Sequence, residues 1–502
     1  MQWFNGAWPL SNITDWILFE NRRKACYKRG EEKEDMQKKW DMIIVGGGPG
    51  GYVAALRGAQ LKKRVVLIER DRIGGTCMNY GCIPTKYLLY QTKVFEEILE
   101  SKVVEGPLEK LRLNWKKMQE EKQRIVDQFV KGLDFLLTKN GVTLLKGDAR
   151  LTGERQVEVQ TETEEMSIEG DKIILASGSS PAELPFLVPN GKEVITSREA
   201  LELESVPHKF LIVGAGVIGI ELGTLYHRLG SDVSILEIMP TILPGWDKEI
   251  VARLERSLIT QGLKVFTQMR IEEAVVEKGH VSLKGTSLKD QNSFEFKGDK
   301  VLLAAGRKAN SDDLNSAPLD IILDESGFVS VNPQLETNIR GIYAIGDLIG
   351  GKLLAHKASH EGIVAAENVS GERKSMDYKA LPMAVYTEPE FSSVGLTEEE
   401  AQKKGIKTNI GRFPLRANGR AIAMQREEGV VKIVADEKDK IIGAQILAPN
   451  ASEIIAEISL AMAKCLRLQD IASSIHIHPT LSEAVMEASM KAKNMAIHIL
   501  NL

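Results

Sequence analysis

The sequence predicts an α/β fold containing two Rossmann-like, three-layer dinucleotide-binding domains. Two observations support this prediction. The chain has 502 residues, which is too long for one hydrophobic core and favours several domains. A unit made of a strand, a glycine-rich turn, a helix and a second strand ending in an acid occurs twice, at residues 42–70 and 210–237. This order is typical of the βαβ unit that binds a dinucleotide.

The first unit reads MIIVGGGPGGYVAALRGAQLKKRVVLIER. Its apolar strand leads into G-x-G-x-x-G at Gly46, Gly48 and Gly51, and its second strand ends at Glu69. In such a unit the first glycine makes the tight turn, the second lets a diphosphate approach, and the third brings helix and strand together. The helix N-terminus faces the diphosphate, and the acid accepts a hydrogen bond from a ribose hydroxyl. The unit therefore predicts a dinucleotide site.

The second unit reads FLIVGAGVIGIELGTLYHRLGSDVSILE and ends at Glu237, with its glycines at Gly214, Gly216 and Gly219. In both units the acid follows the last glycine by eighteen residues. No basic residue lies between Glu237 and Lys248, whereas a 2′-phosphate usually needs an arginine there. The second site is therefore predicted to prefer NAD to NADP. The alternative is that both stretches are glycine-rich turns without a ligand.

Two of the four cysteines, Cys77 and Cys82, lie within the stretch GGTCMNYGCIPTK at residues 74–86. Residues 82–91 have helical character, provided that Pro84 lies in the first turn, where proline is tolerated. A cysteine near a helix N-terminus has a lowered thiolate pKa, which favours a redox-active pair. The alternative is a pair of small buried hydrophobic residues. A zinc site built from all four cysteines does not fit their spacing, so no metal is expected.

Composition excludes several classes of protein. The net charge of −4, from 65 basic and 69 acidic residues, gives no argument for nucleic acid or an anionic membrane. No apolar run reaches the roughly eighteen residues of a membrane span. Four cysteines favour a reducing compartment, so we expect a cytoplasmic protein. Residues 1–39 resemble neither a secretory signal nor an arginine-rich transit peptide and are expected to be a flexible leader.

Two histidines lie in SIHIHPTLSEAVMEA near the C-terminus. His478 precedes Pro479, which favours an extended backbone. A histidine titrates near neutral pH, as a group that moves a proton between two thiols must. In an extended segment His476 and His478 lie on the same face, so alternation does not separate them. Thr480-x-x-Glu483 fits a capping box that opens the last helix.

The cysteine stretch, the two glycine units and IHIHPTLSE together resemble the FAD-dependent pyridine nucleotide-disulphide oxidoreductases. The resemblance runs from about residue 40 to the C-terminus. It implies a discontinuous FAD-binding domain at residues 40–184 and 310–380, and an NAD-binding domain at 185–309. It also implies a C-terminal α+β dimerisation domain at 381–502, and hence a homodimer.

The resemblance implies two bound cofactors, FAD and NAD. FAD is expected to be bound through Gly46, Gly48, Gly51, Glu69, Gly178 and Asp347. NAD is expected to be bound through Gly214, Gly216, Gly219, Glu237 and Gly306.

The resemblance also implies roles for the cysteine pair and its neighbours. Cys82 faces the flavin, and Cys77 exchanges with the substrate thiol. Lys86 lies close to the flavin and pairs with Glu221 of the second unit. From the residues alone, a solvated helix position explains Lys86 equally well. Glu221 alone would be taken as an exposed helix position.

In the family the C-terminal histidine reaches the disulfide of the partner subunit, so each active site is shared across a homodimer. The match to the family motif selects His478 as the base and leaves His476 structural. The same match makes Glu483 the carboxylate that orients His478. That interpretation competes with the capping box.

Within the family, the base at His478, the glycine at Gly219 and LLAHKASHEG at residues 353–362 favour the branch that oxidises dihydrolipoamide. The implied reaction is oxidation of protein-bound dihydrolipoamide to lipoamide with reduction of NAD⁺ to NADH. The implied partners are lipoyl domains of a 2-oxoacid dehydrogenase complex or a glycine-cleavage-type carrier protein. Two alternatives remain: an NADH-dependent reductase of another low-molecular-weight disulfide, and a structural subunit that keeps FAD for stability.

Overall fold

The computed structural model describes residues 39–312, 314 and 319–501. The predicted leader, apart from its last residue, lies outside the described residues. Two largely parallel sheets are followed along the chain by a five-stranded antiparallel sheet with helices. The predicted α/β class with a C-terminal α+β unit is therefore confirmed.

The first region contains seven strands and four helices. The strands are β1 (Trp40–Val45), β2 (Val65–Glu69), β3 (Thr143–Lys146), β4 (Asp148–Gly153), β5 (Gln156–Gln160), β6 (Glu165–Leu175) and β7 (Ser179–Pro181). The helices are α1 (Pro49–Gln60), α2 (Gly75–Tyr80), α3 (Cys82–Glu100) and α4 (Trp115–Lys139), with a 3₁₀ turn at Leu108–Lys110.

The first sheet has the order β3-β2-β1-β6-β5-β4. Strands β3, β2, β1 and the second half of β6 are parallel, as expected for βαβ units. The first half of β6 instead pairs antiparallel with β5, which pairs antiparallel with β4. Strands β1 and β2 are apolar over nearly their whole length because both faces of the parallel part are covered, by helices α1 and α4 on one side and by residues of β4 and β5 on the other.

The sequence of residues 114–137 predicts a long amphipathic helix with its polar residues outward. This helix is α4, and Asn114 caps it by accepting a hydrogen bond from the Lys117 N–H at 3.0 Å. The expectation that its polar residues point outward fails at Lys122. That side chain is buried and donates to the Leu201 carbonyl at 2.7 Å. A buried cation is tolerated there because the carbonyl gives it a partner.

The second region contains nine strands and three helices. The strands are β8 (Val194–Ile195), β9 (Lys209–Val213), β10 (Asp232–Leu236), β11 (Lys264–Phe266), β12 (Met269–Glu277), β13 (His280–Ser287), β14 (Ser293–Gly298), β15 (Lys300–Leu303) and β16 (Arg307–Ala309). The helices are α5 (Ser197–Ala200), α6 (Val217–Arg228) and α7 (Lys248–Thr260). A parallel sheet has the order β11-β10-β9-β15-β8, and β12, β13 and β14 form an antiparallel sheet.

The chain then returns to the first sheet. Strand β16 pairs with β7, and β17 (Ile342–Ala344) pairs in parallel with β6. A 3₁₀ turn at Gly346–Ile349 and helix α8 (Ala355–Val369) follow. A strand that comes after the second region therefore completes the first sheet. This pairing supports a discontinuous first domain, while the exact boundaries at 184/185, 309/310 and 380/381 stay predictions.

The C-terminal region contains β18 (Pro382–Val385), β19 (Glu390–Gly395), β20 (Thr408–Pro414), β21 (Val430–Asp436) and β22 (Ile441–Ala448), in the sheet order β18-β19-β22-β21-β20. Its helices are α9 (Glu398–Lys403), α10 (Gly419–Ala423), α11 (Ala451–Ala463), α12 (Leu468–Ala472) and α13 (Glu483–Lys491), with a 3₁₀ turn at Leu415–Ala417. Helices α11 and α13 share one apolar core with the sheet. Within the described ranges, none of the helices has the length and apolarity needed to cross a bilayer.

Candidate active site

The first glycine loop connects β1 to α1, and its glycines are required for different reasons. Gly46 has a φ of +103°, and a Cβ at this position would collide with the Ala176 carbonyl. A Cβ at Gly51 would collide with the Gly46 carbonyl, because helix and strand are in close contact there. A Cβ at Gly48 would meet no atom within 4 Å. Gly48 therefore leaves space at the helix N-terminus rather than relieving a clash.

The second loop, between β9 and α6, repeats this arrangement. Gly214 has a φ of +107° and lies against the Ala304 carbonyl, and Gly219 lies against the carbonyl of Gly214. A Cβ at Gly216 would again meet nothing within 4 Å. The two loops therefore share one geometry, with open space above the middle glycine.

Each loop presents a helix N-terminus without a side-chain cap. Gly48 and Gly216 are the N-cap residues of α1 and α6, and neither helix has a side-chain hydrogen bond at its cap. The first amide N–H groups of a helix have no partner within it, and they attract an anion. Both loops therefore fit a diphosphate.

The acid at the end of the second strand holds each loop in place. Glu69 Oε2 accepts from the Gly47 N–H at 2.7 Å, and Glu237 Oε2 accepts from the Ala215 N–H at 2.7 Å. The other oxygen of each acid also accepts a backbone N–H, from Asp71 and Met239 respectively. Carboxylate oxygens each have a second lone pair, so a ribose hydroxyl still finds an acceptor. The donor and acceptor sets of both loops thus fit dinucleotides.

Asp347 lies in the 3₁₀ turn after β17 and is joined to the second region. Its Oδ2 accepts from the Ser179 hydroxyl at 2.5 Å, and Arg307 Nε lies 3.8 Å from the same oxygen. Arg307 also donates to the Ser179 hydroxyl at 2.7 Å. The predicted Gly178 and Gly306 directly precede Ser179 and Arg307, with φ of +72° and +120°. Sequence reasoning missed Ser179 and Arg307, because strand pairing between β7 and β16 creates their contact.

The cysteine pair lies where α2 ends and α3 begins. Gly81 separates the two helices, and Cys82 is the first residue of the 19-residue helix α3. Pro84 lies in the first turn of α3, as predicted. Both cysteines are half-buried free thiols joined by a hydrogen bond. The structure therefore holds the dithiol form, and the disulfide between them stays a prediction.

The two thiols differ in acidity. The hydrogen bond from Cys77 lowers the pKa of Cys82 to about 7, and the positive charge of Lys86 acts in the same direction against the effect of burial. The same hydrogen bond, together with burial, raises the pKa of Cys77. At neutral pH the thiolate therefore lies on Cys82, at the N-terminus of α3, and Cys77 carries the proton.

Lys86 connects the cysteine helix to the second unit. Its Nζ lies 2.7 Å from Glu221 Oε2 on α6 and 4.4 Å from the centre of the Tyr386 ring. Glu221 is only 3% exposed, and its other oxygen accepts from the Tyr386 N–H at 3.1 Å. Burial lowers the pKa of Lys86, but Glu221 and Cys82 outweigh it, so the pKa is raised. Lys86 is therefore a cation that faces both a carboxylate and the Cys82 sulfur.

His478 and Glu483 form a pair in the C-terminal region. His478 Nδ1 lies 2.9 Å from Glu483 Oε1, and Glu483 Oε2 accepts from the Thr480 N–H at 2.8 Å. The capping box does not form in full, because the Thr480 hydroxyl donates to the Ile477 carbonyl and the N-cap residue is Ser482. The His478 side chain is 78% exposed. Glu483 therefore fixes one ring nitrogen and leaves Nε2 turned to the outside.

His476 has a different environment, although the sequence pattern alone does not separate it from His478. Its side chain is only 8% exposed, with Nε2 at 3.0 Å from Glu457 Oε1 and Nδ1 at 3.0 Å from the Ser474 carbonyl. Both ring nitrogens of His476 are therefore engaged, whereas His478 retains one for a further partner.

The fold and site define a class: a protein with two dinucleotide units, a cysteine pair between them and a separate C-terminal domain. Residues 40–362 match the family described as pyridine nucleotide-disulphide oxidoreductase, and residues 381–489 match the dimerisation domain of that family. The chain therefore belongs to the pyridine nucleotide-disulphide oxidoreductases. Members of this family use FAD and a nicotinamide dinucleotide, which the two loops fit, and the dimerisation domain indicates a homodimer.

Relatives extend over nearly the whole chain. Dihydrolipoyl dehydrogenase of Thermus scotoductus is 42% identical, covering 92% of this chain and 100% of the relative. The mitochondrial dihydrolipoyl dehydrogenase of Pisum sativum is 38% identical, covering 98% and 97%. Among solved structures, LpdA of Mycobacterium tuberculosis has a TM-score of 0.82 at 26% identity, covering 90% of this chain and 99% of that one.

Proposed function

We propose that this chain oxidises protein-bound dihydrolipoamide to lipoamide and reduces NAD⁺ to NADH, as a dihydrolipoyl dehydrogenase. The observation that carries the proposal is the asymmetric cysteine pair. Cys82 has a depressed pKa at the N-terminus of α3, Cys77 is protonated, and Lys86 links the pair to the second dinucleotide unit. The two relatives with that name match this chain over 100% and 97% of their own lengths.

The chemistry of the oxidised pair follows from these roles. Nε2 of His478 of the partner subunit takes the proton from one substrate thiol, and the resulting thiolate attacks the sulfur of Cys77. The bond between Cys77 and Cys82 breaks, and its electron pair stays on Cys82, whose low pKa makes it the better leaving group. The second substrate thiol then attacks the substrate sulfur of the mixed disulfide and gives its proton to the sulfur of Cys77. Lipoamide leaves, the first proton stays on Nε2 of His478 of the partner subunit, and the negative charge stays on Cys82.

The carboxylate of Glu483 makes this proton transfer possible. It holds Nδ1 of His478, so that Nε2 is the basic nitrogen, and it stabilises the imidazolium that forms. Lys86 stabilises the thiolate of Cys82 and is itself held by Glu221. Two-electron transfer from the dithiol to NAD⁺ is the chemistry that a bound flavin supplies.

The second dinucleotide unit supports NAD rather than NADP as the electron acceptor. Glu237 is buried with both oxygens directed at the loop backbone, and a 2′-phosphate placed there would be repelled. The partners that we propose are lipoyl domains, of either a 2-oxoacid dehydrogenase complex or a glycine-cleavage-type carrier protein. We further propose a cytoplasmic location, because a dithiol that must cycle suits a reducing compartment.

A substrate panel on the purified yellow protein tests this function. We expect turnover of dihydrolipoamide with NAD⁺, much weaker turnover with NADP⁺, and little reduction of glutathione disulfide by NADH. Replacing His478 with Gln should lower dihydrolipoamide turnover at least roughly a hundredfold. His476→Gln is the matched control, because its ring nitrogens are already engaged with Glu457 and Ser474. Preferred turnover of another disulfide, or equal rates with the two nucleotides, would contradict the proposal.

A further inference from the structure

Helix α8 carries a buried ion pair, Lys357 with Glu361. Lys357 is 3% exposed and Glu361 is fully buried, and Lys357 Nζ lies 3.1 Å from Glu361 Oε1. Burying an ion pair costs desolvation energy that an apolar pair of the same size avoids. Stability alone therefore gives no reason for two charges at these positions.

Both charges are directed at one glycine. Glu361 Oε2 accepts from the Gly346 N–H at 2.7 Å, and Lys357 Nζ donates to the Gly346 carbonyl at 3.1 Å. Gly346 has a φ of +76° and is buried, so both of its backbone polar groups need partners. The residue after Gly346 is Asp347, the carboxylate predicted to bind FAD. The pair therefore holds the backbone from which Asp347 projects.

Helix α8 also packs against α1, next to the glycine loop of the expected FAD site. Gly362, one residue after Glu361, lies so close to α1 that a Cβ would collide with the Gly50 carbonyl. A Cβ at Gly50 would in turn lie 3.2 Å from the Ala358 carbonyl. One helix thus contacts the N-terminal turn of α1, where the diphosphate is expected, and also the turn that carries Asp347.

A third residue joins the pair from another part of the chain. The Tyr378 hydroxyl donates to Glu361 Oε1 at 2.7 Å, and burial together with that carboxylate raises the pKa of Tyr378. Tyr378 lies just before β18, between α8 and the dimerisation domain. Glu361 therefore accepts hydrogen bonds from the Asp347 turn and from the connection to the C-terminal region.

We propose that Lys357, Glu361 and Tyr378 are positioning residues that set the carboxylate of Asp347 relative to the α1 loop for binding FAD. The proposal rests on the FAD-dependent function above. If these residues position Asp347, loss of the ion pair weakens FAD binding more than a substitution elsewhere that lowers the stability of the fold by the same amount.

The test measures the FAD dissociation constant of apoprotein prepared from the full-length chain, by the quenching of flavin fluorescence. We expect Lys357→Met and Glu361→Leu to raise it at least tenfold, since each leaves a buried polar group of Gly346 without its partner. Glu361→Gln should restore most of the affinity, because its amide oxygen can still accept from the Gly346 N–H. The visible circular dichroism of the reconstituted flavin should change in the first two variants and remain near that of the unmutated protein in Glu361→Gln.

Lys432→Met is the matched control. Lys432 is as buried as Lys357 and pairs with Asp247 at 2.9 Å, between α7 and β21, without contact to Gly346. It should lower the unfolding temperature and leave the FAD dissociation constant unchanged. An equal rise in the dissociation constant in this control, or no rise in Lys357→Met, would overturn the proposal.

Tyr378→Phe covers the case in which the core variants do not fold. Tyr378 is 43% exposed and its ring is retained, so folding should be unaffected, while FAD should bind several-fold more weakly. Unchanged FAD binding in Tyr378→Phe counts against the proposal. Turnover of dihydrolipoamide by the unmutated protein is measured in parallel. If FAD binds and responds to these variants without such turnover, the proposed function fails and the positioning role stands.

Discussion

At the scale of single residues, the cysteine pair gives a titration that can be measured. The hydrogen bond from Cys77 and the charge of Lys86 together outweigh burial and lower the pKa of Cys82 to about 7, so thiolate should form around neutral pH in the reduced protein. Ultraviolet thiolate absorbance followed against pH should show this step. Cys82→Ser should remove it. Cys77→Ala should move it to higher pH, because the donor that stabilises the thiolate is gone.

A shift to lower pH in Cys77→Ala would contradict the assignment of the thiolate. Lys86→Met gives an independent check: it removes a positive charge beside the sulfur, so the step should again move upward. Lys93→Met is the control for charge. Lys93 lies two turns further along α3 and pairs with Glu388 rather than with a sulfur. The titration of Cys82 should be unaffected by its loss.

Single residues also show where sequence reasoning ends. The position of Cys82 at a helix N-terminus was predictable, because Pro84 and the following residues are local signals. The contact of Lys86 with Glu221 spans 135 residues of sequence and entered only through the resemblance to a family. Sequence reasoning did not anticipate that the Thr480 hydroxyl would bond the Ile477 carbonyl, because local backbone geometry decides which partner a hydroxyl takes.

At the scale of elements, the second glycine loop contains one glycine that packing requires and one that leaves space for the ligand. Gly216 is the N-cap residue of α6 and Gly219 lies in its first turn, but only Gly219 lies against a backbone carbonyl. Gly219→Ala should destabilise the protein by about 1–3 kcal/mol, because the helix must move away from the strand. Gly216→Ala meets no atom and has a φ of −75°, which alanine adopts freely, so stability should be unchanged.

In NAD⁺ kinetics we expect the reverse order, with the larger effect in Gly216→Ala. A methyl group at Gly216 occupies space that the diphosphate needs, at a cost of roughly 1–3 kcal/mol of binding. The KM for NAD⁺ should therefore rise about tenfold or more, with kcat less affected. Steady-state kinetics and thermal unfolding of both variants check this. A lowered unfolding temperature in Gly216→Ala with an unchanged KM would show that the space serves packing.

Helices and strands were predictable where neighbouring residues in the sequence specify them, and less predictable where contacts between distant segments do. Strands β1 and β9, helices α1 and α6 and the glycines between them follow from apolar runs and turn chemistry within thirty residues. The buried Lys122 in α4 does not, because its partner is the Leu201 carbonyl far along the chain. The antiparallel extension of β6 onto β5 also depends on tertiary pairing that no periodicity encodes.

At the scale of the whole molecule, an ionic cluster joins the second dinucleotide unit to the C-terminal domain. Lys432 on β21 is 3% exposed in its side chain, and its Nζ lies 2.9 Å from Asp247 and 2.8 Å from Glu398. Arg412 on β20 pairs with Glu249 at 3.0 Å and with Glu398. Asp247 also caps α7, so the cluster ties the start of that helix to the sheet. The cap and its cation lie 185 residues apart in the sequence, so no local signal connects them.

The cluster predicts how the molecule responds to loss of one cation and to acid. Lys432→Met leaves Asp247 buried without a counter-charge, which should cost about 3–5 kcal/mol and lower the thermal unfolding midpoint at neutral pH. The cluster's cations Arg412 and Lys432 outweigh burial and hold the pKa of Glu249 and of Glu398 below the ordinary value of 4.5. Groups with a depressed folded pKa stabilise the fold above that ordinary value and lose the contribution as pH falls through the folded pKa.

The difference in unfolding midpoint between the unmutated protein and Lys432→Met should therefore be largest above pH 4.5 and should shrink as the solution is made more acidic. Lys248→Met is the control. The side chain of Lys248 is 72% exposed, so its pair with Glu399 is screened by solvent and its loss should leave the midpoint nearly unchanged at every pH. A difference that persists undiminished below pH 4 would mean that Lys432 acts through packing of its side chain rather than through its carboxylate partners, because protonated carboxyls no longer attract it.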